Sequence, residues 1–174
     1  MRQFDKQRTL RMDNRHFPLL GWCEWVALPE LDISRIRCKV DTGAKTSALH
    51  AFYVEEFTEN GHQKVRFGVH PAQGKTDQEI HCVADIFDRR QVTDSGGHKE
   101  SRIVIQTPVI LGGEKWPIEI TLTNRDSMRF RMLLGRGAIA DNFTVDPGTT
   151  HLMGLPKDKP VDKHVVTRRH DEEE

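Results

Sequence analysis

What most limits the architectures open to this chain is the rhythm of its apolar runs. Short stretches rich in β-branched and aromatic residues recur about every ten residues, separated by clusters of Gly, Pro, Asn and Asp, the pattern of antiparallel strands joined by turns. Residues 22–28, 33–40, 52–57, 64–70, 79–87, 102–111, 117–123 and 131–134 read as strands. Two of them alternate: Ile103, Ile105 and Thr107 against Arg102, Val104 and Gln106, and Ile118, Ile120 and Leu122 against Glu119, Thr121 and Thr123. Each is predicted to be half-buried. Only 136–142, after Gly135, reads as helical. Without a long amphipathic helix to cross between parallel strands, the chain is predicted to be all-β, a small barrel or sandwich rather than α/β.

Leu, Ile, Val and Phe make up 43 of 174 residues, enough for a buried core. At this length one domain is expected, here residues 17–154. Residues 1–16 form a polar N-terminal tail and 155–174 a charged one, with Pro156, Pro160 and few apolar side chains. Lys and Arg total 26 against 26 for Asp and Glu, and no basic stripe is interleaved with aromatics, so direct nucleic-acid binding is not expected. No run is long enough to span a membrane, and residues 1–15 are charged where a signal peptide would be apolar, which together predict a cytoplasmic protein. Cys23, Cys38 and Cys82 are odd in number, widely spaced and lack CxxC, and so read as core thiols.

Several familiar motifs fail. GVHPAQGKT at 68–76 places five residues between its glycines where a phosphate-binding loop has four, and no helix follows, so it reads as a turn between strands. HExxH is absent and His50, His62, His70, His81 and His98 show no ligand-pair spacing. His81 and Cys82 point to opposite faces of a strand, and no metal is predicted. No serine lies in GxSxG or SxxK, and no Cys-His signature appears, which leaves nucleophilic catalysis without support. What remains is KVDTGAKTSAL at 39–49, an apolar strand running into Asp-Thr-Gly-Ala, followed about ninety residues later by MLLGRGA at 132–138.

These two segments and their order resemble the retropepsin-like aspartic peptidases, whose half-domain runs through a strand, the DTGA loop, a flap hairpin, two further strands and an apolar-apolar-Gly strand into a helix. The order matches over about 120 residues. DTGAKTSALHA, LTNRDSMRFRMLLGR and the late VDPG are similar to one bacterial family within that clan, found beside ATP-grasp glutamate ligases of the RimK type and commonly labelled "ATP-dependent zinc protease". The resemblance implies a closed, antiparallel retropepsin-like β-barrel with one short helix, and Asp41 as the catalytic carboxylate. Neither zinc nor ATP finds support among the residues above, and no cofactor is expected.

An aspartic peptidase needs two carboxylates sharing one proton, because like charges about 3 Å apart cannot both ionise near neutral pH. The chain holds a single DTG, so catalysis implies a homodimer in which a second Asp41 comes from an identical chain. The resemblance then implies Thr42 bracing the paired loops, Gly43 allowing the turn and donating its N–H toward the carboxylate, and Ala44 completing the loop. Ser or Thr at position 44 would favour the charged form by a hydrogen bond; Ala does not, so the pair is expected to keep its shared proton to higher pH. Asp126, in an Asn-Arg-Asp turn, and Asp141, at the end of the short helix, read as turn and surface residues.

Residues 87–102, FDRRQVTDSGGHKESR, stand where a flap is expected, with a turn at 94–97 and cations at Arg89, Arg90, His98, Lys99 and Arg102. With Arg136 beside the loop, these are candidates to receive substrate carboxylates; an ordinary charged surface hairpin is the alternative. A peptidase paired with a glutamate ligase implies an acidic, glutamate-tagged substrate such as a ribosomal protein, and the acidic 171–174 terminus resembles such a tag. A second reading keeps the fold and drops the chemistry: a non-catalytic module that binds a glutamate ligase or its ribosomal substrate.

Overall fold

A computed structural model describes residues 16–124 and 128–158; Asp126, expected in a turn, most of both tails and the acidic terminus lie outside the described residues. The strands are β1 (Leu19–Leu20), β2 (Cys23–Leu28), β3 (Ile33–Asp41), β4 (Ser47–Ala51), β5 (Tyr53–Glu59), β6 (His62–Val69), β7 (Ile80–Asp85), β8 (Asp88–Thr93), β9 (Lys99–Leu111), β10 (Glu114–Asn124), β11 (Met132–Gly135) and β12 (Thr144–Val145), with one helical turn, α1 (Arg136–Ile139). Six strands close a ring in the order β10-β4-β11-β3-β2-β9 and back to β10, and β8 hangs from β9. The all-β class expected from the run spacing, and the closed barrel that the resemblance implies, are the observed architecture.

Two neighbours in the ring are parallel, β11 with β3 and β10 with β4. The reason is the path of the chain. After β3 it loops outward and returns as β4, and β11 threads between the two, antiparallel to β4 and therefore parallel to β3. The 39–49 segment thus runs into a strand that its sequence hides: Ser-Ala-Leu-His-Ala has little β-branching, yet all five residues of β4 are buried because neighbours on both sides supply the pairing.

The core fills the barrel with Val26, Ile36, Leu49, Ile105, Leu111, Ile120, Met132 and Leu134, all fully buried. β10 departs from the expected half-burial, since Thr121 and Thr123 are buried as completely as Ile118 and Leu122. They bond across to β4: the Thr121 hydroxyl donates to the Ser47 carbonyl at 3.2 Å, and the Thr123 hydroxyl meets His50 Nδ1. The helix is shorter than the predicted 136–142, because Ala140 already turns to an extended ψ of 138° and Asp141 then takes a left-handed φ of 65°. A second sheet, β5-β6-β7, lies outside the ring and packs on it through Val65, Phe67, Val69 and Cys82. Its hairpin turns at Asn60 and Gly61, both at positive φ, as a two-residue turn matched to strand twist requires.

No helix among the described residues is long and apolar enough to cross a membrane. The loop holding the GKT triplet joins β6 to β7, and its Lys75 N–H closes a turn on the Ala72 carbonyl at 3.1 Å.

Candidate active site

β3 ends at Asp41, and residues 42–46 carry the chain across to β4. In this loop the Asp41 carboxylate folds back on its own backbone: Oδ1 accepts the N–H of Gly43 at 3.0 Å and of Ala44 at 3.3 Å. Oδ2 accepts no hydrogen bond among the described residues. Asp41 is half-buried, and Thr42 and Gly43 are exposed, so the loop presents the carboxylate at the surface. Ala44 adds a backbone donor and no hydroxyl.

The loop is held from behind by the end of β11 and by α1. Gly135 N–H donates to Ser47 Oγ at 3.0 Å, Arg136 N–H to the Ala44 carbonyl at 2.7 Å, and Gly137 N–H to the Lys45 carbonyl at 2.8 Å. The Arg136 side chain reaches over the exposed end and donates Nη1–H to the Thr42 carbonyl at 2.9 Å. Two glycines let the backbones come this close. A Cβ on Gly135 would stand 2.6 Å from the Thr46 carbonyl carbon and 2.8 Å from the Ser47 nitrogen, and one on Gly137 would stand 2.9 Å from the Lys45 oxygen. The Gly-Arg-Gly of MLLGRGA is therefore a backbone-to-backbone clasp on the DTGA loop, and the exposed Arg136 side chain adds a bond to the loop backbone.

Ser47 and Gly137 were not among the candidate residues. The buried Ser47 hydroxyl accepts the clasp's first hydrogen bond, a role that appears only once β11 is known to thread beside β4. A cavity of about 270 Å³ opens next to the loop, lined by Lys45, Thr46, Gln106, Pro117, Glu119 and Gly137.

The β8–β9 hairpin spends much of its charge within the molecule. Arg90 pairs with Glu119, on the rim of that cavity, at 2.6 Å and with Asp88 at 2.8 Å. These partners, Glu119 first, hold the guanidinium above its ordinary pKa; Arg90, and after it the Arg89 N–H, hold Asp88 below the usual carboxylate range. Arg89 pairs with Glu56 of β5 and donates to Gln63 at 3.0 Å. Arg102 pairs with Glu100 at 3.1 Å. His98 and Lys99 are exposed at the turn, with His98 3.5 Å from Asp94. Of the five hairpin cations proposed to receive substrate, three already hold carboxylates of this chain. Asp141 is exposed beyond α1.

Glu24 was also missed. It is fully buried on β2 and unmarked in sequence, and it accepts backbone N–H groups from Gly21 at 3.1 Å and Leu152 at 3.0 Å on Oε2, and from Met153 at 2.9 Å on Oε1. It ties the segment after β12 onto the barrel. Among the described residues no group of three or more His, Cys, Asp or Glu is placed to hold a metal ion. The three thiols are buried and unpaired, and burial pushes Cys82 up to about 12.

Residues 19–154 match the RimB-like family, described as retropepsin-like aspartic endopeptidase RimB. The chain belongs to this family. The match runs from β1 to the segment held by Glu24, and so takes in the whole ring and the DTGA loop. Curated relatives carry another name. A probable alpha-L-glutamate ligase of Shewanella halifaxensis is 40% identical over 145 residues, covering 83% of this chain and 32% of that protein. One of Desulfotalea psychrophila is 42% identical over 136 residues, covering 78% and 29%. The chain thus spans about a third of the length of the curated relatives it matches. Among solved structures, Lpg0085 of Legionella pneumophila, a protein with unknown function (DUF785), superposes with a TM-score of 0.66 at 28% identity, over 78% of this chain and 98% of that one.

Proposed function

We propose that this RimB-like chain is one half of a homodimeric aspartic endopeptidase that cuts acidic, glutamate-rich protein segments. The observation that carries the reading is the state of Asp41: one carboxylate oxygen is pinned by two backbone N–H groups, the other accepts no bond from a described residue, and the whole loop is clasped by Gly135, Arg136 and Gly137. That is the preorganisation a shared-proton pair needs.

In the dimer, the ionised Asp41 takes a proton from water, and that water's oxygen attacks the scissile carbonyl carbon. The protonated Asp41 of the other copy gives its proton to the carbonyl oxygen. Collapse of the tetrahedral intermediate passes a proton to the leaving amine and restores one proton to the pair. The hairpin of β8 and β9 is the flap in this reading, closing over the cleft to exclude water. The acidic preference is supported by relatives named for glutamate ligation.

One observation favours a second reading. The matching segment makes up only about a third of those ligase-named relatives, as a module that binds a ligase or its substrate would.

The test joins two measurements. Sedimentation at micromolar concentration should give twice the 20.0 kDa chain mass, and Asp41→Asn should keep that mass and the fold while abolishing hydrolysis of a glutamate-tailed peptide, followed by mass spectrometry. A strict monomer, or an Asp41→Asn protein that cleaves like wild type, defeats the peptidase. Loss of no function other than cleavage of peptide by Asp41→Asn supports it, whereas an intact partner effect without any cleavage selects the binding module.

A further inference from the structure

A second feature lies on the outer face of β2 and β3, away from the hairpin. There the side chains of Trp25, Arg35, Arg37, Lys75 and Arg129 line an open groove of about 680 Å³. Four of these five are cations, and no Asp or Glu among the described residues lines the groove. None of the four forms an ion pair with a described carboxylate, in contrast to Arg89, Arg90 and Arg102 on the hairpin.

The cations are also held in place. The Arg37 guanidinium lies 4.9 Å from the centre of the Trp25 ring and that of Arg35 5.6 Å, so the indole supports both planes. Arg37 Nη1 donates to Gln73 Oε1 at 2.9 Å, which fixes it against the loop between β6 and β7. Its Nε is buried and makes no hydrogen bond among the described residues. Like charges gathered without a counter-charge cost free energy unless an anion completes them.

We propose that this groove is a binding site for the carboxylates of an extended acidic peptide, separate from the Asp41 loop. It builds on the acidic-substrate reading above and supplies the site for it. Arg35 and Arg37 stand two residues apart on β3, about 6.6 Å along the strand, the repeat of same-side side chains in an extended peptide. Each guanidinium offers a fork matched to a carboxylate. β3 itself runs on to Asp41, four residues or about 13 Å beyond Arg37, so a segment seated here is held within reach of the candidate catalytic loop. A phosphate ligand fits less well: Lys75 N–H is spent on Ala72 and a strand follows, leaving no row of N–H groups to cradle it.

The experiment measures fluorescence anisotropy of labelled hexaglutamate and hexaglutamine on the full-length Asp41→Asn protein. Hexaglutamate is expected to bind, more weakly as salt rises, and hexaglutamine at least tenfold more weakly. Arg35→Gln together with Lys75→Gln, both exposed positions, should weaken hexaglutamate about tenfold or more, while Lys115→Gln together with Lys157→Gln, which removes two exposed charges outside the groove, should not. Arg37→Gln should weaken it further, with circular dichroism confirming that it is folded. Equal binding of the two peptides, equal loss in the Lys115→Gln and Lys157→Gln control, or hexaglutamate displaced by inorganic pyrophosphate at far lower concentration than by free hexaglutamate would overturn the proposal. The two readings fail separately: peptide cleavage that Arg35→Gln with Lys75→Gln leaves unchanged ends this one alone, and groove-dependent binding without cleavage ends the peptidase alone.

Discussion

Gly135→Ala isolates the clasp on the Asp41 loop. Gly135 has φ −81° and ψ 165°, extended backbone that alanine adopts freely, so on conformational grounds the substitution should stabilise the fold by about 0.4–1 kcal/mol through the unfolded chain. The surroundings reverse that sign. The new methyl would meet the Thr46 carbonyl carbon at 2.6 Å and its oxygen and the Ser47 nitrogen at 2.8 Å, all main-chain atoms that no rotamer change moves aside. Restoring ordinary contact means parting β11 from the loop by most of an ångström, against β3 and β4 on either side. Overpacking of this kind costs about 1–3 kcal/mol, and weakening the Gly135, Arg136 and Gly137 hydrogen bonds adds about 1 kcal/mol each. A net loss of about 3–5.5 kcal/mol is expected in urea unfolding. In the proposed peptidase, a shift of the loop by that distance should also cost about a hundredfold in kcat/KM. Gly137→Ala is the comparison: its methyl meets one oxygen at 2.9 Å, and the loss should be smaller. A Gly135→Ala protein as stable as wild type, or more stable, would refute the claim that close backbone approach fixes this glycine.

Two further substitutions test the supports around the site. Ser47→Ala removes the buried acceptor of the Gly135 N–H and should cost about 1–3 kcal/mol in the same assay; a change under 0.5 kcal/mol would mean the clasp does not depend on it. Glu24→Gln turns one of two acceptors into a donor facing a backbone N–H of Gly21, Leu152 or Met153 and should cost about 2–3 kcal/mol, with proteolysis increasing in the segment after β12; unchanged protection there would assign Glu24 another role.

Most strands of the barrel were legible because they carry their own signal: β-branched runs bounded by turn residues need no partner to be recognised, whereas the runs alone left barrel and sandwich open. β4 was not, since Ser47 to Ala51 is strand only because β10 and β11 flank it. The DTGA loop was legible as a motif, but not the reason for the glycines near position 135, which lies in contacts across some ninety residues. Glu24 gave no sign at all. A glutamate in a strand reads as solvent-facing, and its burial depends on three N–H groups, two of which arrive from residues 152 and 153.

Charge shows the same division between what a sequence carries and what only assembly decides. Counting along 87–102 finds a cationic hairpin, yet Arg89 meets Glu56 and Arg90 meets Glu119, partners 33 and 29 residues away. Exposed pairs of this kind contribute little stability each, so their larger effect is on what the surface offers a ligand: an incoming carboxylate must displace one already bound. Arg35 and Arg37 look less notable in sequence, two arginines in a strand of mixed polarity, but the fold gives them an indole support and no described acidic neighbour. A carboxylate arriving there has no described carboxylate of the groove lining to displace. Where two cationic surfaces compete for one acidic peptide, the one without internal counter-ions should hold it more tightly and show the steeper loss with salt, and Arg89→Gln should consequently change hexaglutamate affinity by less than Arg35→Gln. The reverse order would return the acidic preference to the hairpin.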